Sequence, residues 1–133
     1  MTLSRTGWLL TPVLFLFPVR GFAAEGHTKD SLETVRRNIS SGKAILVDVR
    51  EKAEWDAGHI KGACLVPLSR LIGKDGGEDL VKGLDKKKVL YIHCAVGKRA
   101  LMASEALKEF GFEVRPLKQG YQELLKSGFE KEK

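Results

Sequence analysis

The chain has 133 residues, room for one domain and an appendage, and a net charge of +6. Lysines and acids are interspersed apart from the run Lys86-Lys87-Lys88, and no aromatic-interleaved basic stripe marks a nucleic-acid surface. Two cysteines, Cys64 and Cys94, would suit one disulfide by number alone, but one lies in an apolar strand run and the other in a loop. The absence of a C-x-x-C pair argues against a thioredoxin-like oxidoreductase.

In chain order, Arg5 precedes a short apolar stretch over residues 8–17, and Gly21-Phe22-Ala23 supplies a small-x-small cleavage pattern. The apolar run is about half the ~20 residues a membrane-spanning helix needs. Residues 1–23 are therefore expected to be a secretory signal peptide, leaving no stable membrane span after cleavage and a periplasmic mature protein. Removing Arg5 and Arg20 from the +6 total leaves +4 for the remainder. Residues 24–30 read as a flexible lead into a single domain over 31–133.

Asp30 or Ser31 can cap a helix whose apolar positions Leu32, Val35 and Ile39 share a face. Residues 44–47 form a continuous apolar run, typical of a strand covered on both faces, and release Asp48-Val49-Arg50 at its carboxyl end. A short helix is expected over 51–56, then a buried strand over 63–66 that places Cys64 as a small core hydrophobe. Leu68, Leu71 and Ile72 suggest one or two helical turns, and residues 78–82 another. A strand over 89–92 leads into His93-Cys94-Ala95-Val96-Gly97-Lys98-Arg99-Ala100. The helix that follows lines up Ala100, Ala103, Leu107 and Phe110 and stops at Gly111. A last strand over 113–117 and a helix over 121–126 complete the chain. Strands alternating with helices imply an α/β domain with a mainly parallel sheet covered on both faces. Ligands of such sheets bind beyond the carboxyl ends of the strands, where Arg50 and Cys94 both fall.

Cys94 carries the chemistry. It sits on an exposed loop between a strand and a helix N-terminus, where backbone N–H groups and the positive helix end favour an anion, with Lys98 and Arg99 in the same turn. An ordinary cysteine is only a few per cent thiolate at pH 7, so such a setting matters. Among rivals, a Walker-A loop fails because Ile92 and Arg99 hold positions that need glycine and serine or threonine. Phosphatases of the tyrosine type place five residues between cysteine and arginine. Here four residues separate Cys94 from Arg99, a tighter cradle suited to a sulfur atom.

Leu46-Val47-Asp48-Val49-Arg50-Glu51, Glu54-Trp55, Gly58-His59-Ile60-Lys61-Gly62-Ala63, Val66-Pro67 and the loop from Cys94 to Ala100 together resemble, in order, the motifs of the single-domain rhodaneses. The exported members of that sulfurtransferase family are the most similar. The resemblance implies a rhodanese-like α/β fold and a catalytic Cys94 that carries a persulfide. The backbone of Ala95, Val96, Gly97, Lys98 and Arg99 would surround the persulfide sulfur. It also implies a small anionic donor such as thiosulfate and a thiol or dithiol acceptor, for instance a thioredoxin-like protein, with cyanide serving in an assay. No metal or organic cofactor is called for, since sulfur itself is the soft electrophile. Many members show a Gly-Gly pair and a later aromatic residue where this chain has Gln119-Gly120 and Leu124.

The remaining polar residues read more plainly. Arg50 is expected to support the site as an ion-pair partner at the sheet edge, and Asp48 to brace a neighbouring loop. His59 reads as a hydrogen-bonded structural residue and Trp55 as core. His93, next to Cys94 in an extended segment, should face the opposite side of the sheet. Two alternatives share Cys94: a carrier or sensor of sulfane sulfur without turnover, and a small cysteine-dependent phosphatase or arsenate reductase.

Overall fold

A computed structural model describes residues 26–133. The proposed signal peptide lies outside the described residues. The architecture follows from the alternation in the sequence. Helix α1 (Leu32–Ser40) is capped by Ser31, whose hydroxyl accepts the Thr34 N–H, and buries Val35. Strand β1 (Ala44–Asp48) is followed by α2 (Lys52–Ala57), whose N-terminus is closed by a reciprocal Glu51–Glu54 capping box. Then come β2 (Cys64–Leu65), α3 (Leu68–Leu71), α4 (Glu78–Val81), β3 (Val89–His93), α5 (Lys98–Glu109), β4 (Val114–Pro116) and α6 (Tyr121–Lys126). No helix among the described residues is long and apolar enough to cross a membrane.

The four strands form one parallel sheet in the order β2-β1-β3-β4. Successive side chains on a strand point to opposite faces, and the two cores divide accordingly. Val47, Leu90 and Ile92 join Ala100, Ala103 and Leu107 of α5 and Leu68 and Leu71 of α3. Leu46 and Tyr91 join Val35 of α1 and Tyr121 and Leu124 of α6 on the other face. Cys94, two residues beyond Ile92, belongs to the α5 side. β1 and β3 are paired over their whole lengths, with Asp48 opposite His93, so the residues after both strands emerge side by side.

Several expectations need correction. The strand over 63–66 reduces to two residues at the sheet edge, and Cys64 there is half-buried because no strand covers its outer side. Helix α2 has no buried residue. Trp55 accordingly is not core: it lies half-exposed and stacks on His59, ring centroids 3.6 Å apart. His27 to Asp30, read as flexible, are pinned to the body. The Thr28 N–H donates to the Pro116 carbonyl at 2.7 Å, and the Asp30 carboxylate accepts from the Tyr91 hydroxyl at 2.6 Å and from Arg115 at 2.9 Å.

Candidate active site

Cys94 is the first residue after β3, and α5 begins at Lys98. Between them the chain turns through Gly97 at φ +91°, the left-handed N-cap of α5. That turn brings the Gly97 N–H to 3.0 Å from Cys94 Sγ, to which it donates. A Cβ on Gly97 would stand 2.8 Å from the Lys118 carbonyl oxygen, so close packing as well as φ demands glycine. Gly120 meets a stricter limit, since its Cβ would fall 1.7 Å from the Ala95 carbonyl oxygen. The chain that follows β4 thus presses on the Cys94 loop, and the Tyr121 N–H donates to the Cys94 carbonyl at 2.9 Å.

The loop is exposed at Ala95 and Val96, the latter at 71%. Cys94 itself is buried, contrary to the expectation of an exposed thiol. It packs within the core cluster on the α5 side, with the Gly97 N–H against its sulfur. Among the described residues, Gly97 supplies the one hydrogen bond to Sγ.

The two cations at the start of α5 separate. Lys98 is exposed to solvent. Arg99 makes two parallel hydrogen bonds to Glu54, at 2.6 Å and 2.8 Å. A cation at a helix N-terminus is electrostatically misplaced unless an anion meets it, and Glu54 is that anion. α5 has no acid in its own first turn. The Arg99 guanidinium holds the Glu54 carboxyl down to about 2. Arg99 therefore braces the loop against α2 through Glu54, an ion pair the sequence alone did not reveal. Glu54 was legible only as part of a family motif, because no spacing rule links positions 45 residues apart.

Arg50 is buried and chelates Asp48 through Nε and Nη2, at 3.0 Å and 2.8 Å to Oδ2. Asp48 also accepts the Arg50 backbone N–H at 2.9 Å, which fixes the turn after β1. Arg50 Nη2 donates further to the Gly58 carbonyl at 2.7 Å, and the guanidinium lies 4.0 Å over the Tyr121 ring. Arg50 is thus an ion-pair partner at the sheet edge. His93 is fully buried 3.6 Å from Asp48 Oδ2, and neither ring nitrogen has a hydrogen-bond partner among the described residues. Burial pushes its imidazole down from the ordinary value, against the pull of Asp48. His59 Nδ1 lies 3.0 Å from the Trp55 carbonyl, a structural role.

A buried cysteine at the end of a central parallel strand, beside a loop that turns directly into a helix, defines an α/β domain built around a thiol. Residues 31–127 match the rhodanese-like domain, and the chain belongs to that family. It is 38% identical over 91 residues to the probable adenylyltransferase/sulfurtransferase MoeZ of Mycobacterium tuberculosis, covering 68% of this chain but only 22% of MoeZ. It is 32% identical over 90 residues to the thiosulfate:glutathione sulfurtransferase of Homo sapiens, covering 62% of this chain and 78% of that protein. The structure of the human single-domain sulfurtransferase TSTD1 superposes with a TM-score of 0.62 at 31% identity, over 76% of this chain and 97% of that one. Sulfur transfer is the activity these relatives' names share.

Proposed function

We propose that the protein is a thiosulfate sulfurtransferase working by double displacement through Cys94, exported to the periplasm. The observation that supports this most is the Gly97 N–H aimed at Cys94 Sγ from a loop that continues into α5. The helix start favours negative charge at this point, and the anionic form of sulfur is the nucleophile. In the first step the Cys94 thiolate attacks the outer sulfur of thiosulfate. A Cys94 S–S bond forms, the S–S bond of thiosulfate breaks, and sulfite leaves with the electron pair. In the second step an acceptor (cyanide, a small thiol such as glutathione, or a dithiol protein of the thioredoxin kind) attacks that sulfur. Cys94 departs as the thiolate. No oxidant or reductant is consumed.

The added sulfur is held within the turn formed by Ala95, Val96, Gly97, Lys98 and Arg99, a reading supported by the Gly97 N–H at Sγ. Lys98, free of an ion-pair partner among the described residues, draws the anionic donor toward the loop. Arg99 works through its bond to Glu54, holding the loop in shape.

Intact-mass measurement of the reduced protein after thiosulfate treatment, with thiocyanate release on adding cyanide, tests this reading. Gain of one sulfur and turnover are expected. Gain of sulfur without turnover would move the protein to the carrier class, and hydrolysis of a phosphate ester without sulfur gain to the phosphatase class.

A further inference from the structure

Gly58 caps α2 at φ +155° and stands where three polar side chains converge. Arg50 Nη2 donates to its carbonyl at 2.7 Å. The Tyr121 hydroxyl and Lys131 Nζ lie 2.7 Å and 3.1 Å from the point that a Cβ on this residue would occupy. With Glu54 and Gln122 these groups line a cleft of about 380 Å³. Arg50, its side chain only 5% exposed, is the fixed part of the wall. Asp48 and Gly58 take Nε and Nη2, and Nη1 has no hydrogen-bond partner among the described residues. The Tyr121 hydroxyl and Lys131 Nζ are likewise without partners there. The one acid in the wall, Glu54, is already matched by Arg99. Three donors, two of them cationic, thus line a space that no side chain among the described residues fills.

The cleft touches the Cys94 loop at two points without containing the sulfur. Tyr121 donates its backbone N–H to the Cys94 carbonyl, and Glu54 holds Arg99. Thiosulfate is compact, its sulfonate one bond from its outer sulfur, and Cys94 is not among the residues that line the cleft. A longer molecule can place an anionic end here and its sulfur at the loop. We propose that the cleft holds the carboxylate of the sulfur acceptor, a carboxylate-bearing aliphatic thiol. The proposal rests on the sulfur-transfer reading above. In the step it serves, the acceptor thiolate attacks the outer sulfur of the Cys94 persulfide, a new S–S bond forms, and the Cys94 S–S bond breaks. The products are the acceptor hydropersulfide and the Cys94 thiolate.

The test uses S-methylglutathione, a tripeptide thioether with two carboxylates, and its dimethyl ester, titrated calorimetrically into the full mature protein. Neither probe can react, so the outcome does not depend on persulfide formation or turnover. The acid is expected to bind about tenfold more tightly than the ester, a difference of about 1.4 kcal/mol. Lys131→Glu, at an exposed position, is expected to erase that preference. Equal binding of acid and ester, or a preference unchanged in Lys131→Glu, overturns the proposal while leaving the Cys94 chemistry to its own assay.

Discussion

Cys64 and Cys94 lie in the same small sheet and differ in nearly everything that governs a thiol. Cys64 occupies a two-residue edge strand, opposite Val47 of β1. Burial pushes its thiol up, and no other cause opposes it. Cys94 follows the central strand β3, is wholly buried, and has the Gly97 N–H at its sulfur with α5 starting four residues on. Burial alone makes a cysteine inert, so exposure is the wrong discriminator between the two. The difference is polar surroundings delivered by backbone. A strand end followed at once by a helix start supplies N–H groups and a favourable dipole, whereas the middle of an edge strand spends its amides on ladder bonds.

Replacing the sulfur breaks this contrast most severely. Cys94→Ser is expected to abolish sulfur gain and lower turnover by about a thousandfold or more, measured by intact mass and thiocyanate release. A variant that still gains one sulfur from thiosulfate would show that the nucleophile lies elsewhere. Gly120→Ala should come next. Its Cβ collides with the Ala95 carbonyl oxygen, and that contact is with backbone, so the loop must shift rather than a side chain. Overpacking of this kind costs about 1–3 kcal/mol. Urea unfolding should report that loss, and turnover should fall further than stability alone explains, because the displaced peptide is the one beside Cys94. A normal rate in Gly120→Ala would mean that loop position is not held by this contact.

The order of elements and the strand-loop-helix setting of Cys94 were legible because they depend on local pattern. Apolar runs of 44–47 and 89–92 specify strands covered on both faces, and the glycine at 97 marks the turn. The alternation rule also placed His93 opposite Cys94, and it is buried there. What failed was everything set by a partner far along the chain. The ion pair of Arg99 was invisible because Glu54 is 45 residues away. Trp55 read as core because aromatic residues usually are, yet α2 buries no residue and its tryptophan stacks on His59 instead. Residues 27–30 read as flexible since polar composition hides hydrogen bonds to β4 and Tyr91 that only the fold brings near.

The Arg99–Glu54 brace gives a smaller effect with a defined sign. Glu54 has a carboxyl held at about 2 in the folded protein, below its ordinary 4.5. A depressed folded value stabilises the protein fully above about 4.5 and loses that contribution as pH falls toward 2. Both partners are about a third exposed, so screening limits the contribution at neutral pH to about 1 kcal/mol. Glu54→Gln is expected to lose that much at pH 7 and to show a shallower decline in stability between pH 4.5 and 2, measured by denaturant midpoints across pH. An unchanged pH slope would show that the pair is formed equally well in the unfolded chain.

The smallest expected effect sharpens the comparison from the other side. Cys64→Ser exchanges a half-buried sulfur at an edge for a hydroxyl that solvent can still satisfy, so the stability loss should be about 1 kcal/mol or less. Turnover should match the unsubstituted protein, because β1 stands between Cys64 and the strand that carries Cys94. Alkylation separates the two thiols directly. With its thiol pushed up by burial, Cys64 should react with iodoacetamide only as pH is raised well into the alkaline range, and the single label remaining in Cys94→Ser reports it alone. Rapid alkylation of that label at neutral pH would mean that an edge-strand position can sustain a thiolate, and the contrast drawn from backbone surroundings would fail.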